Sequence, residues 1–276
     1  MKVALLQLNV SDDPAANLPI TLEMFERAAA QGAEFILTPE VTNCISTSRR
    51  HQNDVLELEQ NDKSLQQLRA AASRHGVTLL IGSLGLKTTD EDGRFANRSF
   101  LIDRQGDIVA RYDKIHMFDV QVTPEETWRE SEGYRPGAKA VLADAGFAKI
   151  GMTICYDLRF PALHGALARA GAQILTVPAA FSPVTGAAHW HALLRARAIE
   201  TGCFVIAPAQ TGEHASAQNK TRKTYGHSLV VTPWGEVQLD AGAAPGVYTT
   251  VLDMEQVEKA RQKIPSLANA RPFDGP

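Results

Sequence analysis

Apolar strands and amphipathic helices alternate along this chain, and their order limits the fold more than any other feature. Residues 3–8 have the pattern of a buried strand, whereas the apolar side chains of residues 14–31 recur at helical spacing. Residues 34–39 form a second predicted strand, so the chain opens with a βαβ unit. Several later strands are joined by turns as short as Gln105-Gly106, which connect antiparallel neighbours. The pattern therefore predicts a layered α/β domain with mixed sheets.

Two polar stretches interrupt this alternation. Residues 117–137 lose the periodicity and gain Pro, Glu and Arg, which predicts a long loop that is functional or covers a pocket. Residues 211–224 are predicted to form a second polar loop. A final helix is expected over residues 255–263, and residues 264–276 form a Pro-bearing tail without predicted structure.

The composition is that of a globular chain with one core. Its 276 residues are 44% hydrophobic and 21% charged, far from the values of disordered chains. No Pro/Gly/Ser-rich linker divides the sequence, so a single domain over residues 1–276 is expected. The net charge is −3 and the basic residues are dispersed, which argues against nucleic acid as a partner.

The N-terminus and the cysteines point to the cytoplasm. The apolar start of the chain stops at Asn9, too early for a membrane span or for the apolar region of a signal peptide, so no membrane association is expected. Cys44, Cys155 and Cys203 are widely spaced and form no Cys-x-x-Cys pair, which fits a reducing compartment.

Cys155 lies at a predicted junction between a strand and a helix. Ile150, Met152 and Ile154 alternate with small or polar residues as in a strand, and Pro161 opens an Ala/Leu-rich helical stretch. A thiol at such a junction can project from the sheet, and the free N–H groups of the next turn can face an anion. A lone cysteine after a strand is otherwise most often core packing.

Three short stretches resemble the nitrilase superfamily of carbon–nitrogen hydrolases, whose glutamate, lysine and cysteine come in this order at similar spacings. They are Pro39-Glu40, Tyr112-Asp-Lys-Ile-His116 and Cys155-Tyr-Asp-Leu-Arg159. The resemblance implies a four-layer α-β-β-α sandwich with two mixed sheets. It also implies that chains pair through a helical face, as a homodimer or a higher homo-oligomer.

The resemblance assigns catalytic roles to Glu40, Lys114 and Cys155. A free thiol has a pKa of about 8.5 and is a weak nucleophile at neutral pH. Glu40 is predicted to take the thiol proton and to pass it to the departing amine. The Lys114 ammonium is predicted to make Cys155 more acidic than a free thiol and to stabilise the oxyanion with the Tyr156 backbone N–H. Without the resemblance, Glu40 and Lys114 would be interpreted as solvated surface charges.

Further site residues follow from the same resemblance. Glu130 lies in a stretch similar to the one that supplies a second glutamate, which positions Lys114 and the substrate. Arg159 and Thr185 are candidates to hold carboxylate or carbonyl groups, and Phe181 is a candidate to line the pocket. A structural ion pair remains an equal alternative for Arg159, and core packing remains one for Phe181. Residues 41–52, which include Cys44, are expected to border the site.

The second half of the chain resembles the amidase branch whose members hydrolyse deaminated glutathione. The stretches that carry this resemblance are 155–161, 178–190, 194–201, 209–212 and 225–228. The implied reaction is attack by Cys155 on a carboxamide, loss of ammonia, and hydrolysis of the resulting thioester. An omega-amidase acting on 2-oxoglutaramate and an N-carbamoyl amino acid amidohydrolase remain alternatives within the same chemistry.

No cofactor or metal is predicted for this reaction. His189 and His191 are two residues apart and would point to different faces of a helix, and the sequence has neither His-Glu-x-x-His nor a nucleotide-binding glycine motif. Two other classes of function remain open: a non-catalytic interaction protein that keeps the scaffold as a dimer surface, and a redox protein that pairs Cys155 with another cysteine.

Overall fold

The computed structural model describes residues 1–124, 127–217 and 222–275. In chain order its strands are β1 (Lys2–Gln7), β2 (Phe35–Leu37), β3 (Thr78–Leu86), β4 (Ala96–Ile102), β5 (Ile108–Asp113), β6 (Asp119–Gln121), β7 (Thr127–Arg129), β8 (Val141–Asp144), β9 (Lys149–Met152), β10 (Ile174–Thr176), β11 (Phe204–Ala207), β12 (Thr211–His214), β13 (Arg222–Tyr225), β14 (Leu229–Val231), β15 (Val237–Asp240) and β16 (Gly246–Val251). Its α-helices are α1 (Pro14–Ala30), α2 (Arg49–Val55), α3 (Lys63–His75), α4 (Glu130–Gly133), α5 (Pro161–Arg169), α6 (Pro183–Thr185), α7 (His191–Thr201), α8 (Glu255–Lys263) and α9 (Ser266–Asn269).

Two six-stranded sheets form the centre of the molecule. The first has the order β16-β1-β2-β3-β4-β5, in which β1, β2 and β3 are parallel and the flanking strands antiparallel. The second has the order β15-β14-β11-β10-β9-β8, in which β9, β10 and β11 are parallel. Both sheets are therefore mixed, as the alternation of short turns and helical crossovers predicts.

The sheets pack face to face, and helices cover their outer faces. Leu5 and Phe35 of the first sheet share a buried cluster with Ile174 of the second, whereas the adjacent Leu6 packs in a separate cluster with Phe25 of α1. This division follows from the alternation of side chains along a strand. Helices α1 and α3 pack against the first sheet and α5 and α7 against the second. The predicted four-layer sandwich is confirmed.

The two predicted polar loops were wrong in their described parts. Residues 117–137 contain the hairpin β6–β7, in which Val120 pairs with Trp128, followed by α4. Residues 211–224 contain the paired strands β12 and β13. Strands of three or four residues are too short to show a periodicity in the sequence. Glu125 and Glu126 lie outside the described residues.

The C-terminal tail is also more ordered than predicted, although helix α8 is confirmed. Residues 266–269 form the short helix α9, whose Leu267 packs against the core and whose Ser266 hydroxyl donates to the Glu200 carbonyl at 3.3 Å. This turn depends on tertiary contacts with α7, which local propensity does not reveal. None of the helices in the described part of the chain has both the length and the apolar character needed to cross a bilayer.

Candidate active site

Cys155 follows the end of β9 after two residues and is the first residue of a short 3-10 turn that ends at Arg159. Its backbone φ is +47°, a left-handed conformation that costs an ordinary residue about 1–3 kcal/mol. Its N–H donates to the Pro178 carbonyl at 2.9 Å, whereas the N–H of Tyr156 belongs to the first turn, where no intrahelical acceptor exists. The junction thus presents a sulfur atom with a free backbone donor beside it.

Asp157 holds this strained turn in place. Its carboxylate is fully buried and accepts hydrogen bonds from the Ile154 N–H at 2.8 Å, the Tyr112 hydroxyl at 2.6 Å and the His116 N–H at 3.0 Å. Tyr112 and His116 flank Lys114 in the sequence, so one carboxylate fixes the cysteine turn against the lysine segment. Asp157 lies in the stretch that carries the family resemblance, but no sequence pattern marks it as a structural link between these segments.

Glu40 follows β2 and reaches the same point from the other sheet. Its Oε1 accepts from Lys114 Nζ at 2.8 Å and from Asn97 Nδ2 at 2.9 Å, and its Oε2 accepts from the Ala180 N–H at 2.9 Å. The Cys155 thiol lies beside the same carboxylate, close enough for each group to shift the pKa of the other. Glu40 is 3% exposed. Asn97 and the Ala180 amide are further site groups that the sequence analysis missed, because only the folded chain brings them to Glu40.

Lys114 lies between two carboxylates. Besides its contact with Glu40, its Nζ donates to Glu130 Oε1 at 2.9 Å and to Oε2 at 2.8 Å, and the lysine is 2% exposed. Glu130 is the first residue of α4, and its Oε2 also accepts from the Phe118 N–H at 2.7 Å. The structure therefore brings together all four residues that the resemblance marked as catalytic: Glu40, Lys114, Glu130 and Cys155.

The charges of this cluster determine the state of the thiol. Burial alone would raise the pKa of Glu40, but the charge and hydrogen bond of Lys114 hold it below its ordinary value. Burial alone would lower the pKa of Lys114, but the charges of Glu130 and Glu40 raise it well above its ordinary value. Within the cluster two carboxylates face one ammonium, and the charge of the more distant Arg222 also acts on Glu40.

The prediction of an unusually acidic Cys155 was therefore wrong. Burial raises the pKa of the Cys155 thiol, and the neighbouring Glu40 charge raises it further, while Lys114 offsets only part of the effect. A thiolate would be a second uncompensated anion in a buried site. The structure accordingly pairs a protonated thiol with an ionised carboxylate, which is the arrangement that general-base activation requires.

A cavity of about 1070 Å³ opens onto the catalytic cluster. Tyr156, Phe181 and Thr185 line it, as does part of the segment 41–52, including Val41, Cys44 and Arg49. Burial raises the pKa of the Cys44 thiol to about 12, with Asp12 and Asp13 adding to the effect, so this second cysteine on the wall is a poor nucleophile.

Arg159 is not among the residues that line the cavity, and its role in holding a carboxylate or carbonyl group stays a prediction. Its guanidinium lies over the ring of Phe181 at 5.4 Å and over that of Tyr156 at 6.0 Å, and it hydrogen-bonds to His189 Nδ1 at 3.2 Å. These aromatic rings line the cavity themselves and hold Arg159 by cation–π contacts. The alternative of a structural ion pair is not supported, because Arg159 pairs with no carboxylate among the described residues. Its hydrogen-bond partner is the imidazole of His189.

Three possible metal ligands meet away from this cavity. The ring nitrogens of His191 and His227 and a carboxylate oxygen of Asp240 lie within 4.8 Å of one another. His191 Nε2 is 3.0 Å and His227 Nδ1 is 2.9 Å from the Asp240 carboxylate. Hydrogen bonds from two imidazoles to one carboxylate account for this cluster without a metal.

Comparisons with known proteins agree with this geometry. The family model described as carbon-nitrogen hydrolase matches residues 2–262. The chain is 39% identical over 273 residues to the deaminated glutathione amidase of Yersinia enterocolitica, a match that covers 98% of this chain and 92% of that protein.

Two solved structures share the fold. Nit3 of Saccharomyces cerevisiae, a member of branch 10 of the nitrilase superfamily, superposes with a TM-score of 0.84 at 31% identity, covering 96% of this chain and 94% of that one. A glutamate-to-glutamine mutant of the amidase from Nesterenkonia sp. AN1 has a TM-score of 0.76 at 26% identity, covering 96% and 98%. In that mutant, acrylamide has added to the active-site cysteine in a Michael reaction.

Proposed function

Because the chain belongs to the carbon-nitrogen hydrolase family, we propose that it is a cysteine-dependent amidase whose preferred substrate is deaminated glutathione. The observation that carries the proposal is the meeting of Glu40, Lys114 and Cys155 at the wall of one cavity, where Glu40 accepts from the Lys114 ammonium at 2.8 Å and its charge acts on the Cys155 thiol. The choice of substrate follows the name of the relative from Yersinia enterocolitica, deaminated glutathione amidase.

The first half-reaction begins with proton transfer from the Cys155 thiol to Glu40. The sulfur attacks the amide carbon, and the carbonyl π electrons move onto oxygen. Lys114 and the Tyr156 N–H stabilise this oxyanion, an effect that is typically worth about 10²- to 10³-fold in rate for each donor. When the oxyanion collapses, the C–N bond breaks, and the Glu40 proton passes to the leaving nitrogen. The product is a thioester on Cys155.

The second half-reaction uses the same groups. Glu40, ionised again, takes a proton from water, and the hydroxide adds to the thioester carbon. The C–S bond then breaks, the carboxylic acid leaves, and the sulfur recovers the proton. Glu130 contacts neither sulfur nor Glu40 and acts by holding Lys114 through two hydrogen bonds. It is a positioning residue in this mechanism.

The chemistry of the amide decides the leaving group. Glutathione contains only peptide amides, so hydrolysis of its deaminated form releases a peptide amine, whereas a primary amide such as 2-oxoglutaramate releases ammonia. The cavity is large enough for either substrate. Apart from the catalytic cluster, its charged residues are Arg49, Arg129, Arg222, Lys223 and Glu132. This excess of positive charge favours substrates that carry carboxylates.

A comparison of three amides tests the substrate. We expect kcat/KM for deaminated glutathione to exceed that for 2-oxoglutaramate and for an N-carbamoyl amino acid by at least about tenfold, a difference of about 1.4 kcal/mol in transition-state binding. Acid quenching during turnover should leave an acyl adduct on Cys155 that mass spectrometry detects, and the Cys155→Ala variant should carry none. Preference for 2-oxoglutaramate would instead identify an omega-amidase.

We also propose that the protein is a homodimer or a higher oligomer. Ile199 of α7, Trp234 and Ile264 are between 50% and 58% exposed. Ile199 packs beside Gly235, the neighbour of Trp234 in the sequence, so these side chains extend the outer helical face of the second sheet. Exposed apolar side chains grouped on one face support pairing there. Sedimentation velocity should give at least twice the mass of one chain, and a monomer mass would contradict the proposal.

A cytoplasmic location is a further proposal. Its support is that Cys44, Cys155 and Cys203 are all free and buried, as is usual for proteins of reducing compartments. Fractionation of cells that express the protein would check it, and recovery with a secreted fraction would contradict it.

A further inference from the structure

Arg222 is a charged residue of the cavity wall to which the mechanism gives no role. It is the first residue of β13, and its Nη2 donates to the Ala180 carbonyl at 2.8 Å. Its guanidinium lies over the Trp128 ring, with Cζ 4.9 Å from the ring centroid. The stacking and the hydrogen bond fix the plane of the guanidinium. The hydrogen bond to Ala180 uses one of the five N–H donors of this group, so others can face a ligand.

The guanidinium lacks a counter-ion in the part of the chain that the structure describes. Other arginines of the protein, such as Arg98 and Arg135, pair with carboxylates of Asp and Glu, whereas Arg222 forms no ion pair with a described residue. A half-buried guanidinium without an anion is costly unless an anion binds there. Since this one lines the cavity, a ligand carboxylate can supply the missing charge.

The neighbouring wall offers further donors for an anion. The hydroxyls of Ser182 and Thr185 line the same cavity, and their buried oxygen atoms have no hydrogen-bond partner among the described residues. Helix α6, which contains Thr185, packs on β13, which begins with Arg222. Buried hydroxyls without partners are rare in folded proteins and mark places where a bound group completes the hydrogen bonding.

Ala180 connects this wall to the reacting groups. Its carbonyl accepts from Arg222, and its N–H donates to Glu40 Oε2 at 2.9 Å. Arg222 and the catalytic cluster thus lie on either side of one residue of the cavity wall. We therefore take as probe a compact amide that carries a carboxylate a few bonds from its carbonyl, the monoamide of a five-carbon diacid.

We propose that Arg222 binds the carboxylate of the substrate and makes the enzyme selective for anionic amides. The proposal rests on the proposed function, since it concerns the substrate of the same cavity. The sequence suggests Arg159 for the same purpose, so the experiment compares the two arginines. A different role for Arg222 also has to be tested, because its charge helps to lower the pKa of Glu40.

Glutaramate and glutaramide provide the test, because they differ only in having a carboxylate or a neutral carboxamide at the far end. We expect Arg222→Gln to lower kcat/KM for glutaramate by about 10- to 100-fold, mainly through KM, as for loss of a charge-assisted hydrogen bond. Glutaramide turnover should change less than about threefold. Arg222→Lys should recover part of the loss for glutaramate, because lysine keeps the positive charge but cannot form the bidentate hydrogen bonds of a guanidinium.

Arg111→Gln is the matched control, since Arg111 also stacks on an aromatic ring, that of Phe100 at 6.0 Å, but lies outside the cavity. It should leave both substrates unaffected. Equal losses for glutaramate and glutaramide in Arg222→Gln would show that Arg222 acts on Glu40 and would overturn the proposal. So would a selective loss in Arg159→Gln together with none in Arg222→Gln.

A binding experiment separates this proposal from the catalytic one. Calorimetric titration of the Cys155→Ala variant with glutarate needs no turnover, and we expect the additional change Arg222→Gln to weaken binding by about tenfold or more. Unchanged glutarate affinity would contradict the role of Arg222. If the unmodified protein hydrolysed neither these two amides nor deaminated glutathione, the amidase proposal would fail, while this titration would still decide whether Arg222 holds a carboxylate.

Discussion

Glu40→Gln is expected to abolish amide hydrolysis while making Cys155 more reactive toward alkylating agents. Glutamine cannot accept the thiol proton, so kcat/KM should fall by about 10³-fold or more. The substitution also removes one of the two negative charges beside the thiol. The charges of Lys114 and Glu130 then cancel. A thiolate at Cys155 is still attracted by the Lys114 ammonium, but it is no longer repelled by a carboxylate at position 40.

The sign of the pH effect follows from these charges. The pKa of Cys155 is raised in the native site, so its thiolate is scarce at pH 8. Loss of the Glu40 charge lowers this pKa, and iodoacetamide should modify the variant faster than the wild type at pH 8. Rates of alkylation between pH 6 and 10, measured together with amide turnover, check both halves of the prediction.

Glu132→Gln is a suitable control, because Glu132 lines the cavity without touching the cluster. This variant should alkylate at Cys155 with the same rate and the same pH dependence as the wild type. A Glu40→Gln protein that alkylates more slowly than the wild type at every pH would contradict the electrostatic account, and one that retains turnover would remove Glu40 from the mechanism.

Lys114→Met is expected to destabilise the protein and to inactivate it. The change removes the cation that the buried Glu40 and the half-buried Glu130 share, and breaking a buried ion pair in this way costs about 3–5 kcal/mol. Loss of the oxyanion donor should lower kcat/KM by a further factor of about 10² or more. Urea unfolding and initial rates measure the two effects separately.

The stability loss of Lys114→Met should depend on pH. In the variant the two carboxylates raise each other's pKa above the value in the unfolded chain, so their burial costs more as the pH rises and both must ionise. We therefore expect a larger loss of unfolding free energy at pH 8 than at pH 5. Lys139→Met, at an exposed position outside the cluster, should change stability by less than about 0.5 kcal/mol. Equal losses for Lys114→Met at both pH values would contradict this argument.

Local patterns in the sequence predicted a layered α/β domain and the positions of its main elements, and the family resemblance supplied the four-layer sandwich. The period-two pattern at Ile150, Met152 and Ile154 marks β9, and the helical stripes mark α1 and α7. Such patterns arise because one face of each element is buried. The hairpin β6–β7 was missed because its three-residue strands lie largely outside the core, where burial imposes no pattern.

The site was predictable only where family stretches named its residues. Glu40, Lys114, Glu130 and Cys155 were proposed in this way and meet in the structure, and their catalytic roles remain predictions. The acidity of Cys155 was misjudged because the sign of a pKa shift depends first on burial and then on the nearby charges, and both require the fold. Asp157, Asn97 and the Ala180 amide were missed for the same reason, since each acts through contacts between segments far apart in the sequence.

The two central sheets also divide the chemistry between them. The base follows β2 of the first sheet and the nucleophile follows β9 of the second, and 114 intervening positions separate them in the chain. Either half, folded by itself, would present only one partner of the proton transfer. Hydrolysis can begin only after the halves have docked, so a newly made chain stays inert until its tertiary structure is complete.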